Sequence, residues 1–412
     1  MNQPARKPLM PVREALDVLL AAARVVDGVE DVATLDANGR VLATDQVSSL
    51  SVPSADNTQM DGYAVRAADC ASGSATLRVA QRIPAGTVGA KLEPGTAARI
   101  FTGALIPEGA DAVVMQEQCE ANGDEVTVKH TPRPGEWIRR AGEDIVAGSV
   151  ILPAGTRLRS QELGLAASVG RARLPVRRRV RVAVFFTGDE LAMPGEALKP
   201  GAIYNSNRFT LRGLLENLGC DISDYGIVPD SLQATRDTLR AAAAQHDVII
   251  TSGGVSVGEE DHIKPAVEAE GRLNMWQIAV KPGKPLAFGE VDRAGGNGAA
   301  FFLGLPGNPV SSFITFLLFV RPFLLRVQGV AGAVEPRAIR LRADFDWAKP
   351  DRRNEFLRAR INDAGGLDLF ANQGSGVLTS TVWADGLIDN PPAQAIAKGD
   401  IVRFIPFSAL QY

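Results

Sequence analysis

Residues 247–261 read DVIITSGGVSVGEED, and the reading of this stretch decides the fold. Asp247 to Thr251 is a short apolar run of the kind a strand buried on both faces requires, and the Gly-Gly pair behind it ends the run abruptly. Upstream, residues 222–228 form a second such run, and Ser231 is placed to cap a helix over 232–245. Residues 206–218 predict an earlier helix with Gly219 just past its end, and 180–186 another buried strand. Downstream, 299–305 is a further strand leading into a helix after Asn308. This alternation predicts a three-layer α/β domain with a mostly parallel sheet.

The flanks have a different texture. The chain has 412 residues, which predicts roughly two to four domains. A helix is expected over 13–26, with Leu16, Leu19, Leu20 and Ala23 on one face. From 46 to 146, Gly, Pro and Thr punctuate short β-prone runs, and 113–129 reads as a hairpin turning at Asn122-Gly123. A short helix over 160–169 and an Arg-rich connection (Arg171, Arg173, Arg177, Arg178, Arg179, Arg181) precede the α/β region, and β texture returns after 330. The expectation is a multidomain α/β plus β chain. Residues 1–45 with 147–175 form a segmented helical unit, 46–146 an inserted β domain, 176–330 the α/β domain and 331–412 a C-terminal β domain.

Composition narrows the function. Apolar residues are 45% and charged residues 22%, the balance of a globular protein. A formal net charge of −3 provides no basic excess for nucleic acid, and the Arg-rich connection reads as a solvated linker. Three isolated cysteines and three histidines exclude a disulfide framework and a His-rich metal centre. The first residues hold no signal-like apolar run, and the most apolar segment, 313–325, is interrupted at Arg321-Pro322, short of a bilayer span. A soluble cytoplasmic protein is expected, with neither a membrane nor a nucleic-acid partner.

In an open α/β sheet, ligands bind beyond the carboxyl ends of the strands. The four loops there carry Glu190, Asp230, the run Ser252-Gly253-Gly254 with Ser256 and Asp261, and Pro306-Gly307-Asn308-Pro309. In a parallel sheet all four border one crevice. The glycine pair with its hydroxyls reads either as an anion cradle or as a tight turn. Asn308-Pro309 suits helix capping as well as presentation of free N–H groups to the crevice. Two carboxylates about 4 Å apart repel by roughly 4 kcal/mol at an effective dielectric near 20. If Glu190, Asp230 and Asp261 converge, a cation is needed between them, and all-oxygen ligands favour Mg²⁺; otherwise each acid is a helix-start residue. Lys281 and Lys284 in KPGKP (281–285) are held on a proline-stiffened loop, facing either an oxyanion or solvent.

Six strings occur in family order along the chain: MDGYAV (60–65), the stretch from Thr102-Gly103 to Val114, TGDEL (187–191), TSGGVSVGEED (251–261), KPGKP (281–285) and LPGNPVS (305–311). Together they resemble the MoeA family of molybdopterin molybdenumtransferases, similar to the E domain of gephyrin. The resemblance implies Mg²⁺-dependent insertion of molybdenum from molybdate into adenylylated molybdopterin with release of AMP. It also implies a homodimer, a C-terminal β-barrel-like domain, and a site shared between the inserted β domain of one chain and the α/β domain of the other. Carried over by motif, Asp61, Thr102, Glu190, Asp230 and Asp261 are the functional groups, the last three also the metal ligands. Ser252, Gly253, Gly254, Ser256 and Asn308 would hold the pterin or its phosphates, and Lys281, Lys284, Pro306, Pro309 and Arg353 would shape the oxyanion region. The chain departs from the family pattern at His262, where an aromatic is usual, and at Asp385, where Asn is usual. Adenylyltransferase and molybdoenzyme acceptors are the implied protein partners. Two other readings are a gephyrin-like scaffold that binds a partner peptide and the related molybdopterin adenylyltransferase, which shares the GGVS loop but leaves the β domains unaccounted for.

Overall fold

The computed structural model describes residues 9–255, 262–283 and 285–411. At its centre, β1 (Arg181–Thr187), α1 (Ser206–Asn217), β2 (Asp221–Val228), α2 (Leu232–Gln245), β3 (Val248–Ser252), α3 (Ile263–Glu270), β4 (Gly271–Gln277), β5 (Pro285–Asp292), β6 (Ala299–Leu305) and α4 (Pro309–Val327) follow in chain order. The six strands form one sheet in the order β2-β1-β3-β6-β5-β4. The first four are parallel; β5 and β4 run antiparallel at one edge. The period-two pleat sends alternate residues to opposite layers. Val182, Val184 and Phe186 pack with Leu211 of α1 and Phe316 and Phe323 of α4, whereas Ala183 and Phe185 pack with Leu239 of α2 and Ala266 of α3. Each large side chain so buried contributes about 1.5–3 kcal/mol.

The helix starts follow local chemistry. The Ser231 side chain accepts a hydrogen bond from the Ala234 N–H at the head of α2, and Asn205 accepts one from Arg208 at the head of α1. Gly219 closes α1 with φ +71°.

The expected break at Arg321-Pro322 does not occur. A single helical turn of π type, Phe316–Val320, lies just before it, and this widened turn lets the helix continue through Pro322, which has no N–H to donate. The uninterrupted Pro309–Val327 is long and apolar enough to cross a bilayer, but 89% of that stretch is buried inside the protein.

Segments before residue 48 and after residue 149 fold against each other. Val29–Ala33 pairs antiparallel with Arg173–Arg177, and Gln46–Val47 with Val150–Leu152. Between them lies a six-stranded sheet in the order Ala112–Met115, Gly62–Val65, Thr96–Ile100, Ala75–Ile83, Glu125–Val128, Cys119–Asn122. Its hairpin spans only Cys119 to Val128, with Gly123 at φ +59°, because Ala112–Met115 leaves to pair with Gly62–Val65. The first helix, Val12–Ala22, ends earlier than its apolar pattern: the chain turns extended at Ala23 and the Val26 N–H bonds the Val327 carbonyl at the end of α4.

Three of the six arginines of the connection also have acidic partners. Arg173 meets Asp31 at 2.6 Å, and Arg178 and Arg181 reach Asp247 at 2.7 and 3.6 Å. In the C-terminal sheet, Asn354–Ile361 is flanked by Gly386–Asn390 on one side and, in parallel, by Val280–Lys281 on the other. That last pairing stitches a loop of the central module into the C-terminal one.

Candidate active site

The carboxyl ends of β1, β2, β3 and β6 open onto one cavity of about 790 Å³. Its lining brings together Glu190, Asp230, Ser252, Gly253, Gly254, Lys281, Pro306, Asn308, Pro309 and Arg353. These residues span more than 160 positions of sequence, and the strand ends are what gather them. Ser256, Asp261 and Lys284 lie outside the described residues. Asp61 and Thr102 are not part of this cavity.

The floor depends on a close approach of two strand ends. Gly253 has φ +97°, and a Cβ there would sit 2.9 Å from the Thr187 carbonyl oxygen. Its N–H donates to the Leu305 carbonyl at 3.1 Å, so the loops after β1, β3 and β6 are drawn together at this residue. The Ser252 hydroxyl, buried, donates to the Pro306 carbonyl at 3.0 Å and accepts from Asn207 Nδ2 at 2.8 Å. Asn207 donates also to the Gly307 carbonyl at 2.8 Å. A single buried amide on α1 thus braces both the glycine loop and the start of α4. Asn207 escaped the sequence reading because an Asn in a first helical turn looks like ordinary helix-start chemistry.

Asn308 and Pro309 occupy the N-cap and first position of α4, and the Asn308 side chain makes no capping bond. The expected free N–H groups are partly used: the Val310 N–H donates to the Ser375 carbonyl at 3.0 Å. This bond draws Gln373, Gly374 and Ser375 of the C-terminal module into the cavity wall. Leu191–Ala192 and Ile203–Tyr204 form a two-stranded flap on the opposite side that carries Glu190 and Asn205 to the rim.

The positive groups of the cavity are held by acids. Lys281 stands in register with Glu355, Nζ to Oε1 at 3.0 Å, and lies 3.5 Å from Asp351. Glu355 is fully buried and also receives the Trp347 indole N–H at 2.8 Å. Asp351 accepts from Arg353 Nε at 2.9 Å and Nη2 at 2.8 Å, and this side-chain pairing holds its carboxyl far below the usual range. Arg353 is correspondingly raised, first by that same bond. Asp351 and Glu355 were legible only as the alternation of charge in DRRNEF (351–356).

Asp61 and Thr102 form a separate, exposed pair on the inserted sheet. The Thr102 N–H and hydroxyl both donate to Asp61 Oδ1 at 2.7 Å. The backbone bond, then the hydroxyl bond, hold the Asp61 carboxyl below its ordinary value. The cysteines are unpaired, and burial pushes the Cys220 thiol up to about 12, far from nucleophilic.

The cavity therefore combines hard oxygen ligands, Glu190 and Asp230, with the paired cations Lys281 and Arg353 and the Gly253-Gly254 backbone in one lining. Three family descriptions match in succession: the MoeA N-terminal region (domain I and II) over residues 10–170, a probable molybdopterin binding domain over 183–326 and the MoeA C-terminal region (domain IV) over 340–407. The molybdopterin molybdenumtransferase of Haemophilus influenzae is 41% identical over 382 residues, covering 91% of this chain and 93% of that one. Gephyrin of Dictyostelium discoideum is 33% identical over 361 residues, covering 78% of this chain and 50% of its own length. The crystal structure of the molybdopterin biosynthesis moeA protein from Pyrococcus horikoshii OT3 superposes with a TM-score of 0.83 at 30% identity, covering 97% of this chain and all of that one. The chain belongs to the MoeA family and is an enzyme of the molybdopterin molybdenumtransferase type.

Proposed function

We propose that this enzyme takes molybdopterin in its adenylylated form together with molybdate, breaks the phosphoanhydride, releases AMP and leaves molybdenum on the pterin dithiolene. The observation that carries this reading is that one cavity is lined by two acids, Glu190 and Asp230, two cations, Lys281 and Arg353, and the Gly253-Gly254 pair. A dianionic oxyanion beside carboxylates needs ammonium or guanidinium groups that are held in place. Lys281 and Arg353 meet that need, each fixed by an acid behind it. The glycine floor leaves room for a phosphate to approach backbone between two strand ends.

The donor set also suits Mg²⁺, which favours one or two carboxylates plus phosphate oxygens and water. Glu190 and Asp230 would hold it, with Asp261 joining from the Gly-rich loop. When bound, the ion offsets charge on the phosphoanhydride oxygens as AMP leaves. Asp61 and Thr102 support a site completed across a homodimer, because they form a rigid hydrogen-bonded pair exposed on a different sheet.

The test is turnover of adenylylated molybdopterin with molybdate, following AMP. Release that requires both molybdate and Mg²⁺ and stops with EDTA is expected. Adenylyl transfer from ATP to molybdopterin, with no molybdate-dependent AMP release, would replace this reading with an adenylyltransferase.

A further inference from the structure

Tyr63, Arg99 and Arg82 stand in one cross-strand row of the inserted sheet: Tyr63 is in register with Arg99, and Arg99 with Arg82. Phe101, two residues beyond Arg99, lies under both guanidiniums, its ring centroid 4.7 Å from that of Arg82 and 4.5 Å from that of Arg99. Like charges directly opposite one another on neighbouring strands destabilise a sheet. Neither arginine has an ion-pair partner among the described residues. Two cations kept together at a cost, with no acid between them, call for an anion from outside.

The two are held differently. Arg99 is half-buried; its Nη1 donates to the Gly62 carbonyl at 2.8 Å and the Ile100 carbonyl at 3.1 Å, and its Nη2 to Gln116 Oε1 at 2.7 Å. All three acceptors are neutral, so its position is fixed while its charge is not offset, and N–H donors remain unused. Arg82 is exposed and rests on Phe101 alone. The row ends beside the Asp61–Thr102 pair, since Thr102 follows Phe101 and Asp61 precedes Gly62. The Thr102 bonds hold the Asp61 carboxyl below its ordinary value, and the charge of Arg99 adds to that. One carboxylate against two guanidiniums leaves this corner of the domain positive.

We propose that Arg82 and Arg99, aligned on Phe101, form a phosphate clamp that takes the nucleotide phosphate of substrate bound in a second copy's cavity and holds it as AMP leaves. The inference rests on the reading of the protein as a homodimer that uses adenylylated molybdopterin. Guanidiniums with donors to spare suit paired contact with phosphate oxygens, and an aromatic face beneath them keeps their planes in place. The phosphate of free AMP carries more negative charge than it did in the anhydride, and a fixed pair of cations discriminates between the two.

The experiment is calorimetric titration of the full chain with AMP, adenosine and inorganic phosphate, on the wild type, Arg82→Gln, the double variant Arg82→Gln/Arg99→Gln and Arg78→Gln. Arg78 lies on the same strand as Arg82, opposite Glu125, and serves as control. Arg82→Gln is expected to weaken the AMP Kd on the order of tenfold and the double variant on the order of a hundredfold. Adenosine binding should not change, and Arg78→Gln should bind AMP like the wild type. Without ligand, Arg82→Gln should melt at or above the wild-type Tm, because a repulsion is relieved. Mixed dimers of the double variant with Glu190→Ala should release AMP that neither parent releases.

Wild-type AMP affinity in the double variant, or equal losses for AMP and adenosine, overturns the proposal. So does a lower Tm in Arg82→Gln with AMP affinity kept, which would assign the stacked arginine to folding. Inorganic phosphate bound as tightly as AMP would make this a free-phosphate site, and inactive mixed dimers would place the clamp outside the shared site. Molybdate-dependent AMP release that the double variant leaves untouched sinks the clamp alone; a wild type without such release sinks the proposed reaction, and the clamp with it.

Discussion

Lys281 and Glu355 face each other across the last pair of a parallel ladder, with the ammonium 3.0 Å from a carboxylate that has no solvent exposure. The contact joins the central module to the C-terminal one and fixes a cation at the cavity edge. Removing the ammonium leaves Glu355 charged and buried, with only Trp347 and Asn390 donating to it among the described residues.

Lys281→Met should therefore destabilise the protein by about 3 kcal/mol as well as abolish molybdenum transfer. The double variant Lys281→Met/Glu355→Gln should regain most of the stability and none of the activity. Urea unfolding alongside AMP-release assays checks both halves. A single variant as stable as the wild type would show that the pair does not hold the two modules together.

Asn207→Ala removes the amide that braces Ser252 and Gly307. The expected cost is about 1–3 kcal/mol for the hydrogen-bond groups left buried, with KM for the pterin substrate raised more than kcat is lowered. The measurement is steady-state kinetics with thermal unfolding. An unaltered KM would place the brace outside the binding surface.

Asp247 gives a pH dependence far from the cavity, at the opposite end of β3. Burial pushes its carboxyl up, but the two Arg178 hydrogen bonds at 2.7 and 2.9 Å and the Arg181 N–H more than offset this, leaving it below its ordinary value. With the folded pKa below the unfolded value of about 3.9, the contribution to stability is complete above that value and is lost as pH falls through the lower, folded one. Asp247→Asn should cost about 2–4 kcal/mol near neutral pH. The gap in Tm from the wild type should narrow steadily below about pH 4, with turnover at neutral pH retained. A gap that stays constant with pH would rule out charge as its origin.

Co-expressed chains carrying Asp61→Ala and Glu190→Ala should recover activity that neither variant has alone, if the site is completed between two copies. Random assortment makes half of the dimers mixed, each with one intact site, so about a quarter of wild-type turnover is expected. Tagged heterodimers purified by sequential affinity steps provide the check. Complete inactivity of the mixed dimers would place Asp61 and Glu190 in the same chain's site.

Much of the layout was legible before any coordinates. The run 247–251, the Ser231 cap and the closing Gly219 act through contacts within a few residues, so the sequence by itself determined the strand–helix alternation and the strand-end loops that border the cavity. Its motifs likewise named Glu190, Asp230, Gly253, Lys281 and Arg353. What only the tertiary structure decided were pairings between residues distant along the chain. Asn207 with Ser252 and Lys281 with Glu355 each join segments that no local periodicity relates. The continuation of α4 through Pro322 belongs here too, since a widened turn inside a packed core accommodates what a local rule reads as a break. Propensity and capping are short-range interactions. The placement of buried charge depends on which surfaces finally exclude water, and that exists only once the chain has folded.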